Sequence, residues 1–355
     1  MNATSFYDVV SGIVNELSLE IRLRRVLKHF VLGVMVSRSC LLDDVAHALK
    51  PLGSVESQYR RLQRFLDNDR VSMAILQCEW AQMVMSTLKG NQVILAVDET
   101  ALSDNLKAMV LGIWMPNGCI PVAWQCYKPT DYPSDGQVGL IVRLVKRILP
   151  VLPIPISVRL LADRGIGTSP DLIRKIDQLG IDVLFRVQGT TRFRDREGQI
   201  MALRDLGIKG RMWQSVGEVF KKAKWIELHA AVVWGPTYDE PWCLVSPQPI
   251  DPPIYAVRFD QEAGFRDFKS DGFQWHRSHV WLPDHADRLL LILAITYWIV
   301  LCVGQALPVP ETGRAARWST FRRGLEACTA PFRPTIALIL PPPPIPPPRM
   351  TCVVQ

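Results

Sequence analysis

Two apolar runs, each followed directly by an aspartate, constrain the fold of this chain more than any other feature. Val93–Val97 precedes Asp98, and the mostly apolar run Ile156–Ala162 precedes Asp163. Short apolar runs of this kind are typical of buried strands. In open α/β sheets, functional sites form where strands end. The two runs therefore predict a sheet in which two strands each end at an acid.

The segments around these runs predict the element order β-β-β-α-β-α. The predicted elements are strands at Val93–Val97, Ala108–Trp114 and Cys119–Tyr127, a helix at Gln137–Leu149, the strand that ends at Asp163, and a helix at Pro170–Leu179. Pro116, Asn117 and Gly118 suit a hairpin turn between the second and third strands. The order matches an α/β, ribonuclease H-like mixed sheet. In such a sheet the first and fourth strands lie side by side, which brings Asp98 and Asp163 together.

A third acid, Glu262, lies in the stretch Tyr255–Lys269. On a helix, Arg258, Glu262 and Lys269 project from roughly one face, so a carboxylate lies between two cations. Arginine and lysine suit phosphate oxygens, whereas a carboxylate beside phosphate needs a divalent ion that neutralises both. Three acids from separate elements could hold two magnesium ions, one for the attacking oxygen and one for the leaving oxygen.

The stretch also carries a recognisable spacing, Tyr-x2-Arg-x3-Glu-x6-Lys. Its members are Tyr255, Arg258, Glu262 and Lys269. This spacing resembles the signature of DDE transposases of the insertion-sequence-four type. Val-Asp-Glu-Thr around Asp98 and Ala-Asp-Arg-Gly around Asp163 look like the first and second catalytic aspartates of that family, and the resemblance covers roughly residues 20–305.

The resemblance implies a role for each matching residue. The implied catalytic and metal-binding residues are Asp98, Asp163 and Glu262. They would hold two Mg²⁺ ions, with Mn²⁺ as a substitute. The implied contacts to the phosphate near the cleaved transposon end are Tyr255, Arg258 and Lys269.

Residues 1–90 predict a helical domain that precedes the sheet. A Lys-Pro-Leu-Gly break follows a helix at Leu41–Leu49, and Ser54 is a suitable cap for a second helix at Val55–Leu66. This order is that of a helix-turn-helix, whose second helix enters a DNA groove. The candidate DNA contacts are Arg60, Arg61 and Arg64. The alternative interpretation is that these arginines line a solvated helix face.

Residues 183–250 predict a β-rich insertion that divides the catalytic domain into residues 91–182 and 251–307. The predicted strands of the insertion are Val183–Gln188, Trp225–Trp234 and Trp242–Ser246. Its cations could follow DNA phosphates, and Trp234 could stack on an unstacked base. For any single tryptophan, a place in the core of the insertion is the simpler interpretation. Residues 308–355 form a basic segment and a Pro-rich tail, of which residues 330–355 are expected to be disordered.

The apolar segment Leu289–Val303 allows two interpretations, a membrane-spanning helix or the central helix of a large core. We favour the core helix, because the segment is alone and the predicted fold needs a buried helix there. His276 and His279, with His285 beyond, suggest a zinc site, but no cysteine or carboxylate cluster completes it. Ordinary polar contacts are the alternative interpretation.

Bulk properties fit a DNA-binding protein of the cytoplasm. The chain has 41 basic and 34 acidic residues, a net charge of +7 and a pI near 9.0, which favours a polyanionic partner. The eight cysteines include no close pair, so neither a zinc ribbon nor a disulfide framework is indicated. We see no secretory signal. A cytoplasmic, nucleoid-associated location without a membrane partner is expected.

Together these features predict a transposase of a bacterial insertion sequence. It would bind terminal inverted repeats in double-stranded DNA, nick the DNA to leave a 3′-hydroxyl and join that end to target DNA, with or without a hairpin intermediate. A homodimer is expected on DNA. The alternatives are a ribonuclease H-fold nuclease and a domesticated DNA-binding protein without strand transfer.

Overall fold

The computed structural model of the protein describes residues 6–88, 90–152 and 157–329. Residues 330–355, for which the sequence predicts disorder, lie outside this range. Five helices come first: α1 Phe6–Asn15, α2 Ile21–Ser37, α3 Leu42–Ala48, α4 Val55–Leu66 and α5 Met73–Ser86. The Ser54 hydroxyl accepts a hydrogen bond from the Ser57 amide at 3.3 Å, which confirms the predicted cap of α4.

The rest of the described chain alternates strands and helices. The strands are β1 Gln92–Ser103, β2 Leu106–Met115, β3 Gly118–Tyr127, β4 Ser157–Ala162, β5 Asp182–Val187, β6 Arg192–Arg194, β7 Ile200–Ala202, β8 Met212–Val219, β9 Ile226–Val233 and β10 Trp242–Ser246. The helices are α6 Gly136–Ile148, α7 Arg164–Gly167, α8 Pro170–Asp177, α9 Pro252–Ala256, α10 Phe259–Arg266, α11 Pro283–Ala306 and α12 Thr320–Thr329. A π-helical turn, Asp267–Asp271, follows α10 directly.

All described strands belong to one mixed sheet, in the order β3-β2-β1-β4-β5-β10-β9-β8-β6-β7. β1 and β2 are antiparallel, β2 and β3 are antiparallel, and β1 and β4 are parallel. The α/β class and the ribonuclease H-like arrangement of the first strands are therefore confirmed, and the helical N-terminal segment fits the same fold. The adjacency of the first and fourth strands is as predicted.

The length of β1 differs from the prediction. The apolar run predicts a strand that ends at Asp98, but β1 continues to Ser103. The parallel partner β4 stops at Ala162, whereas the antiparallel partner β2 still pairs with β1 beyond Asp98, as in Thr100 with Ala108. Asp98 thus lies within a strand, and only Asp163 follows a strand end.

The segment assigned to the start of the insertion, Val183–Gln188, forms most of β5. This strand pairs in parallel with β4 and antiparallel with β10. The remaining strands of the insertion extend the same sheet outward through β9 and β8. The division into domains at residue 183 stays a prediction, but β5 itself belongs to the sheet beside β4.

The apolar helix α11 lies in the core of the protein. It is long and apolar enough to cross a membrane, yet 83% of its most apolar window is buried inside the protein. Gly304 of α11 and Gly324 of α12 pack so closely that a side-chain carbon on either would collide with the backbone of the other helix. This burial favours the core-helix interpretation. α11 and α12 form one packed unit beside the sheet.

Candidate active site

The parallel pairing of β1 and β4 brings two of the predicted acids together. Val97 pairs with Ala162, so the residues that follow, Asp98 and Asp163, occupy adjacent positions on neighbouring strands. Oδ1 of Asp98 accepts a hydrogen bond from the Glu99 amide at 2.8 Å. Oδ1 of Asp163 accepts one from the Ile166 amide at 3.0 Å and caps α7. One oxygen of each acid is therefore held by a backbone N–H.

The third acid, Glu262, is linked to Asp98 by the side chain of Arg258. The Arg258 guanidinium donates from Nη1 to Oδ2 of Asp98 at 3.1 Å and from Nη2 to Oε1 of Glu262. The arginine side chain is only 5% exposed, that of Asp98 is 17% exposed and that of Glu262 is 46% exposed. One buried cation thus links an acid from β1 with an acid from α10.

Burial and like charge act together on Asp98. The pKa of Asp98 is raised to about 6: burial has the largest effect and Asp163 and Glu262 add to it, whereas Arg258 and the hydrogen bond from Glu99 act in the opposite direction. The fields of all three acids therefore overlap at Asp98. Such a group of carboxylates is stable in its charged form only beside a cation.

The donor chemistry suits a hard divalent ion. Mg²⁺ and Mn²⁺ prefer carboxylate oxygens, and the three acids supply only oxygen ligands. Within residues 6–88, 90–152 and 157–329, however, no three His, Cys, Asp or Glu side chains lie close enough together to hold a metal ion. The balancing charge between Asp98 and Glu262 comes from Arg258. A divalent ion would fit these acids only after Arg258 had released at least one of them.

Lys269 also lies at this site. Its Nζ donates to Oγ1 of Thr100 at 2.8 Å. Thr100 is two residues beyond Asp98 in β1, so both side chains point to the same face of the sheet. Burial lowers the pKa of Lys269, and Asp98 opposes that shift. The sequence analysis did not identify Thr100, although strand alternation would have shown it had the strand been extended past Asp98.

Tyr255 is placed differently from the other signature residues. Its side chain is fully buried against Leu161, Leu184 and Leu244. The Arg258 guanidinium carbon lies 5.9 Å from the centre of its ring. The Tyr255 hydroxyl has no hydrogen-bond partner at suitable distance in the described part of the chain. The structure therefore places Tyr255 behind Arg258 in a small core, with its hydroxyl away from the surface.

Two contacts that the sequence analysis missed hold α10 on the sheet. The buried Gln261 donates from Nε2 to the carbonyl oxygens of Ala96 at 3.2 Å and Val110 at 3.1 Å. Trp114 donates from Nε1 to Oδ2 of Asp260 at 2.7 Å. Because Asp260 and Gln261 directly precede Glu262 in sequence, these bonds hold the part of α10 that carries Glu262 against the sheet. A glutamine inside a helix gives no signal of this role in the sequence.

The other sequence candidates lie elsewhere. On α4, Arg60 pairs with Glu56 at 2.5 Å, Arg64 donates from Nε to the Arg60 carbonyl at 3.1 Å, and Arg61 faces a cavity beside α2. All three arginines are exposed. In the insertion, Trp234 donates from Nε1 to the Tyr238 carbonyl at 3.0 Å. Their contacts with DNA stay predictions.

The histidines behind the zinc hypothesis do not assemble into a ligand group. His285 faces Asp67, with 3.4 Å between Nε2 and Oδ1. Asp287 is the carboxylate that follows His285 in sequence by two residues, and its Oδ1 accepts a hydrogen bond from the Cys126 amide at 2.7 Å. Among the residues that the structure describes, His276 and His279 therefore gain no third ligand.

Comparison with known proteins gives one finding that bears on this site. Residues 133–299 match the family model described as transposase DDE domain. The matched range includes Asp163, the whole insertion, Glu262 and most of α11, whereas Asp98 precedes it. A search of curated proteins found no match to the chain. The matched range is just under half of the chain, and it supports a transposase of the DDE type.

Proposed function

We propose that the chain is a transposase of the insertion-sequence-four type, which nicks DNA at transposon ends and joins the freed end to target DNA. The observation that carries this proposal is that Arg258 links Asp98 of β1 with Glu262 of α10, while Asp163 directly follows β4, the parallel neighbour of β1. The match of residues 133–299 to the transposase DDE domain supports it. So does the Tyr-x2-Arg-x3-Glu-x6-Lys spacing, which the family match does not test.

Each chemical step is an in-line displacement at phosphorus. In the nick, water forms a bond to phosphorus as the bond to the 3′ oxygen breaks, which leaves a 3′-hydroxyl and a 5′-phosphate. The 3′-hydroxyl then loses its proton and forms a bond to the phosphorus of another phosphodiester, either on the opposite strand to form a hairpin or on target DNA. The bond from that phosphorus to its own 3′ oxygen breaks, and this oxygen gains a proton and leaves as a new 3′-hydroxyl. Asp98, Asp163 and Glu262 would hold two Mg²⁺ ions, or Mn²⁺ in their place, and the bound ions would supply activation of the attacking oxygen and stabilisation of the leaving oxygen.

The cations of the site position the DNA. Arg258 is held by two acids in the free protein, and it exchanges them for phosphate oxygens when DNA binds, because a guanidinium suits both anions. Lys269, held by Thr100, adds a second positive charge on the same face of β1. Tyr255 acts through its ring, which packs beside Arg258. Positioning of this kind lowers the barrier by fixing the direction of attack.

The remaining parts of the proposal concern partners and location. The chain binds the terminal inverted repeats of its element through the helices before the sheet, including Arg60, Arg61 and Arg64 on α4. It acts as a homodimer on DNA, since two transposon ends must be held together. It works in the cytoplasm, at the nucleoid.

The test is cleavage of a labelled duplex that carries the inverted repeat flanking the gene, with Mg²⁺ or with EDTA. Wild-type protein should nick the duplex only with Mg²⁺, and Glu262→Gln should reduce the rate by at least about 10³-fold. Asp260→Asn is the matched control, because it removes a charge from the same helix and keeps an acceptor for Trp114. It should cut within about threefold of wild type.

Other outcomes separate the alternatives. Equal cleavage by the wild-type and Glu262→Gln proteins would refute the acid site. Cleavage without joining of a pre-cut end to target DNA would leave a nuclease. Tight binding to the repeat with no nicking would indicate a DNA-binding protein.

A further inference from the structure

A cavity of about 200 Å³ lies between α2 and α4, away from the acids. Its polar lining comes from two helix faces. Arg22, Arg25 and His29 follow one another at i, i+3 and i+7 on α2, and Gln58 and Arg61 follow at i and i+3 on α4. Both spacings keep the side chains on one face of a helix. The two faces therefore meet over a shared space that is lined by nitrogen donors.

The cations of this cavity are not balanced by acids. Arg60, one residue away on α4, pairs with Glu56. Arg22, Arg25 and Arg61 form no ion pair with any carboxylate of the described chain. Three guanidinium groups thus raise the potential of one small space, with no protein anion to lower it.

The histidine in the lining reports this potential. The pKa of His29 is lowered by burial and then by Arg61, Arg25 and Lys28. Every charged residue named there is a cation. Without a ligand, His29 is therefore neutral over a wider pH range than a free histidine. An anion in the cavity would reverse the shift.

Gln58 gives an independent sign of a missing acceptor. The residue is 2% exposed, and its Nε2 has no hydrogen-bond partner among the described residues. A buried amide donor without a partner costs stability, and such groups in native proteins call for an explanation. Gln58 is also one of the residues that line the cavity, so a turn of its amide toward that space would give Nε2 an acceptor once an anion binds there.

We propose that this cavity binds a phosphate group of the DNA backbone, whose oxygens accept from Arg22, Arg25 and Arg61, and from the Gln58 amide once it turns toward the cavity. A phosphate diester is an anion that only accepts hydrogen bonds, which matches a lining of donors. The backbone is favoured over a free anion because Arg60 and Arg64 continue along the same helix outside the cavity. This assignment of the source rests on the proposed function, whereas the anion site itself does not.

The first experiment follows the His29 resonance in the full chain, in EDTA, so that no cleavage occurs. The chain has six histidines, which makes selective labelling practical. Inorganic phosphate should shift the His29 signal in a saturable way and raise its pKa. A short duplex should produce the same shift and displace the inorganic phosphate.

Gln58→Leu separates a binding role from a structural one. It removes the unpartnered amide without a change in charge. The affinity for inorganic phosphate and for duplex should fall about tenfold. The midpoint of thermal unfolding of the free protein should stay equal or rise, because a buried unsatisfied donor is lost. A residue that served only packing would lower the unfolding midpoint and leave the affinity unchanged.

Arg61→Gln tests the charge. The slope of log affinity for duplex against log salt concentration should fall by about 0.9, the value expected for one lost phosphate contact. Lys146→Gln, on an exposed position of α6, removes the same charge and should leave the His29 shift unchanged. Arg25→Gln, also exposed, serves as a second cavity variant that keeps the fold.

The outcomes are distinct from those of the cleavage test. A His29 signal that neither phosphate nor duplex shifts would overturn the anion site. A shift with inorganic phosphate that duplex cannot compete away would overturn the DNA source and leave a site for a free anion. If the chain fails to cut DNA but passes both tests in EDTA, the proposed catalysis fails and the phosphate site stands.

Discussion

The acid site and the α2–α4 cavity both contain arginine, but the arginine is paired with acids in the first and unpaired in the second. Arg258 is 5% exposed and bonded to Asp98 and Glu262. Arg61 is exposed and has no acid within ion-pair distance in the described chain. At the acid site the charge of Arg258 is balanced by two carboxylates, so a ligand must displace these internal partners. In the cavity the arginine charges are unbalanced, so an anionic ligand can bind without breaking an ion pair of the protein.

This difference assigns separate tasks to the two regions. Removal of one partner from a buried ion pair leaves the other charge unpaired, which is costly. An exposed cation among other cations stabilises nothing until an anion binds. The ion pairs of the acid site therefore contribute to the stability of the folded protein. The unpaired cations of the cavity do not, and they contribute to the affinity for an anion instead.

The largest expected effect is on stability. Arg258→Met should lower the free energy of unfolding by about 3 kcal/mol in EDTA, because Asp98 is left buried without its cation. The matched change Arg61→Met should alter it by less than about 0.5 kcal/mol. Denaturant unfolding of both variants measures the contrast.

Metal addition sharpens the same comparison. In Arg258→Met, Mg²⁺ no longer competes with a guanidinium for Asp98 and Glu262. It should therefore stabilise this variant more than it stabilises the wild-type protein. Mg²⁺ should leave Arg61→Met no more stabilised than wild type. Equal losses for the two arginine variants in EDTA would show that the Arg258 pairs contribute nothing.

The second prediction concerns pH. Burial raises the pKa of Asp98 from 3.8 to about 6, so its carboxyl gains a proton as pH falls through 6 and no longer attracts a cation. The Mg²⁺ concentration for half-maximal cleavage should therefore rise by up to about tenfold per pH unit below 6. DNA binding in EDTA should instead strengthen slightly as His29 gains its proton.

The sign for stability follows from the same raised pKa. The folded protein holds the Asp98 proton more tightly than the unfolded chain, so this contribution to stability is full below about pH 4 and is lost as pH rises through 6. Asp98→Asn should remove that slope from a pH series of unfolding experiments. If cleavage and metal-free DNA binding declined together at low pH, the acid site and the α2–α4 cavity would not have separate tasks.

The smallest expected effect is the coupling between Thr100 and Lys269. Thr100→Val and Lys269→Met should each slow cleavage about threefold to tenfold, and their double-mutant cycle should show a coupling of about 1 kcal/mol. Lys107→Met is the control, because Lys107 pairs with Glu99 on the other face of β1. Additive effects of the first pair would mean that Thr100 does not position Lys269.

Local patterns in the sequence predicted much of the central sheet. The apolar runs before Asp98 and Asp163 identified β1 and β4, and the hairpin at Pro116–Gly118 is present, with Asn117 in the left-handed conformation that such a turn uses. The cap of α4 by Ser54 could likewise be predicted, because a cap depends on neighbours in sequence.

Features that depend on distant partners were missed or wrong. β1 was predicted to end at Asp98 because the apolar run stops there, but pairing with β2 carries it on to Ser103. Burial of Tyr255 depends on Leu161, Leu184 and Leu244. These leucines belong to β4, β5 and β10, whereas Tyr255 belongs to α9. Gln261 is important only because two carbonyl oxygens, of Ala96 and Val110, lie within its reach.

The sequence by itself determined which chemistry this protein can carry, since the acids, the Arg and Lys of the signature and the strands that bear them all follow from local pattern and spacing. Only the tertiary structure decided how those charges are balanced. It placed Arg258 between Asp98 and Glu262, and it placed Arg22, Arg25 and Arg61 around one cavity whose wall includes Gln58. The reason is physical: ionic and hydrogen-bond energies depend on distance and burial, and both are set by chain segments far apart in sequence.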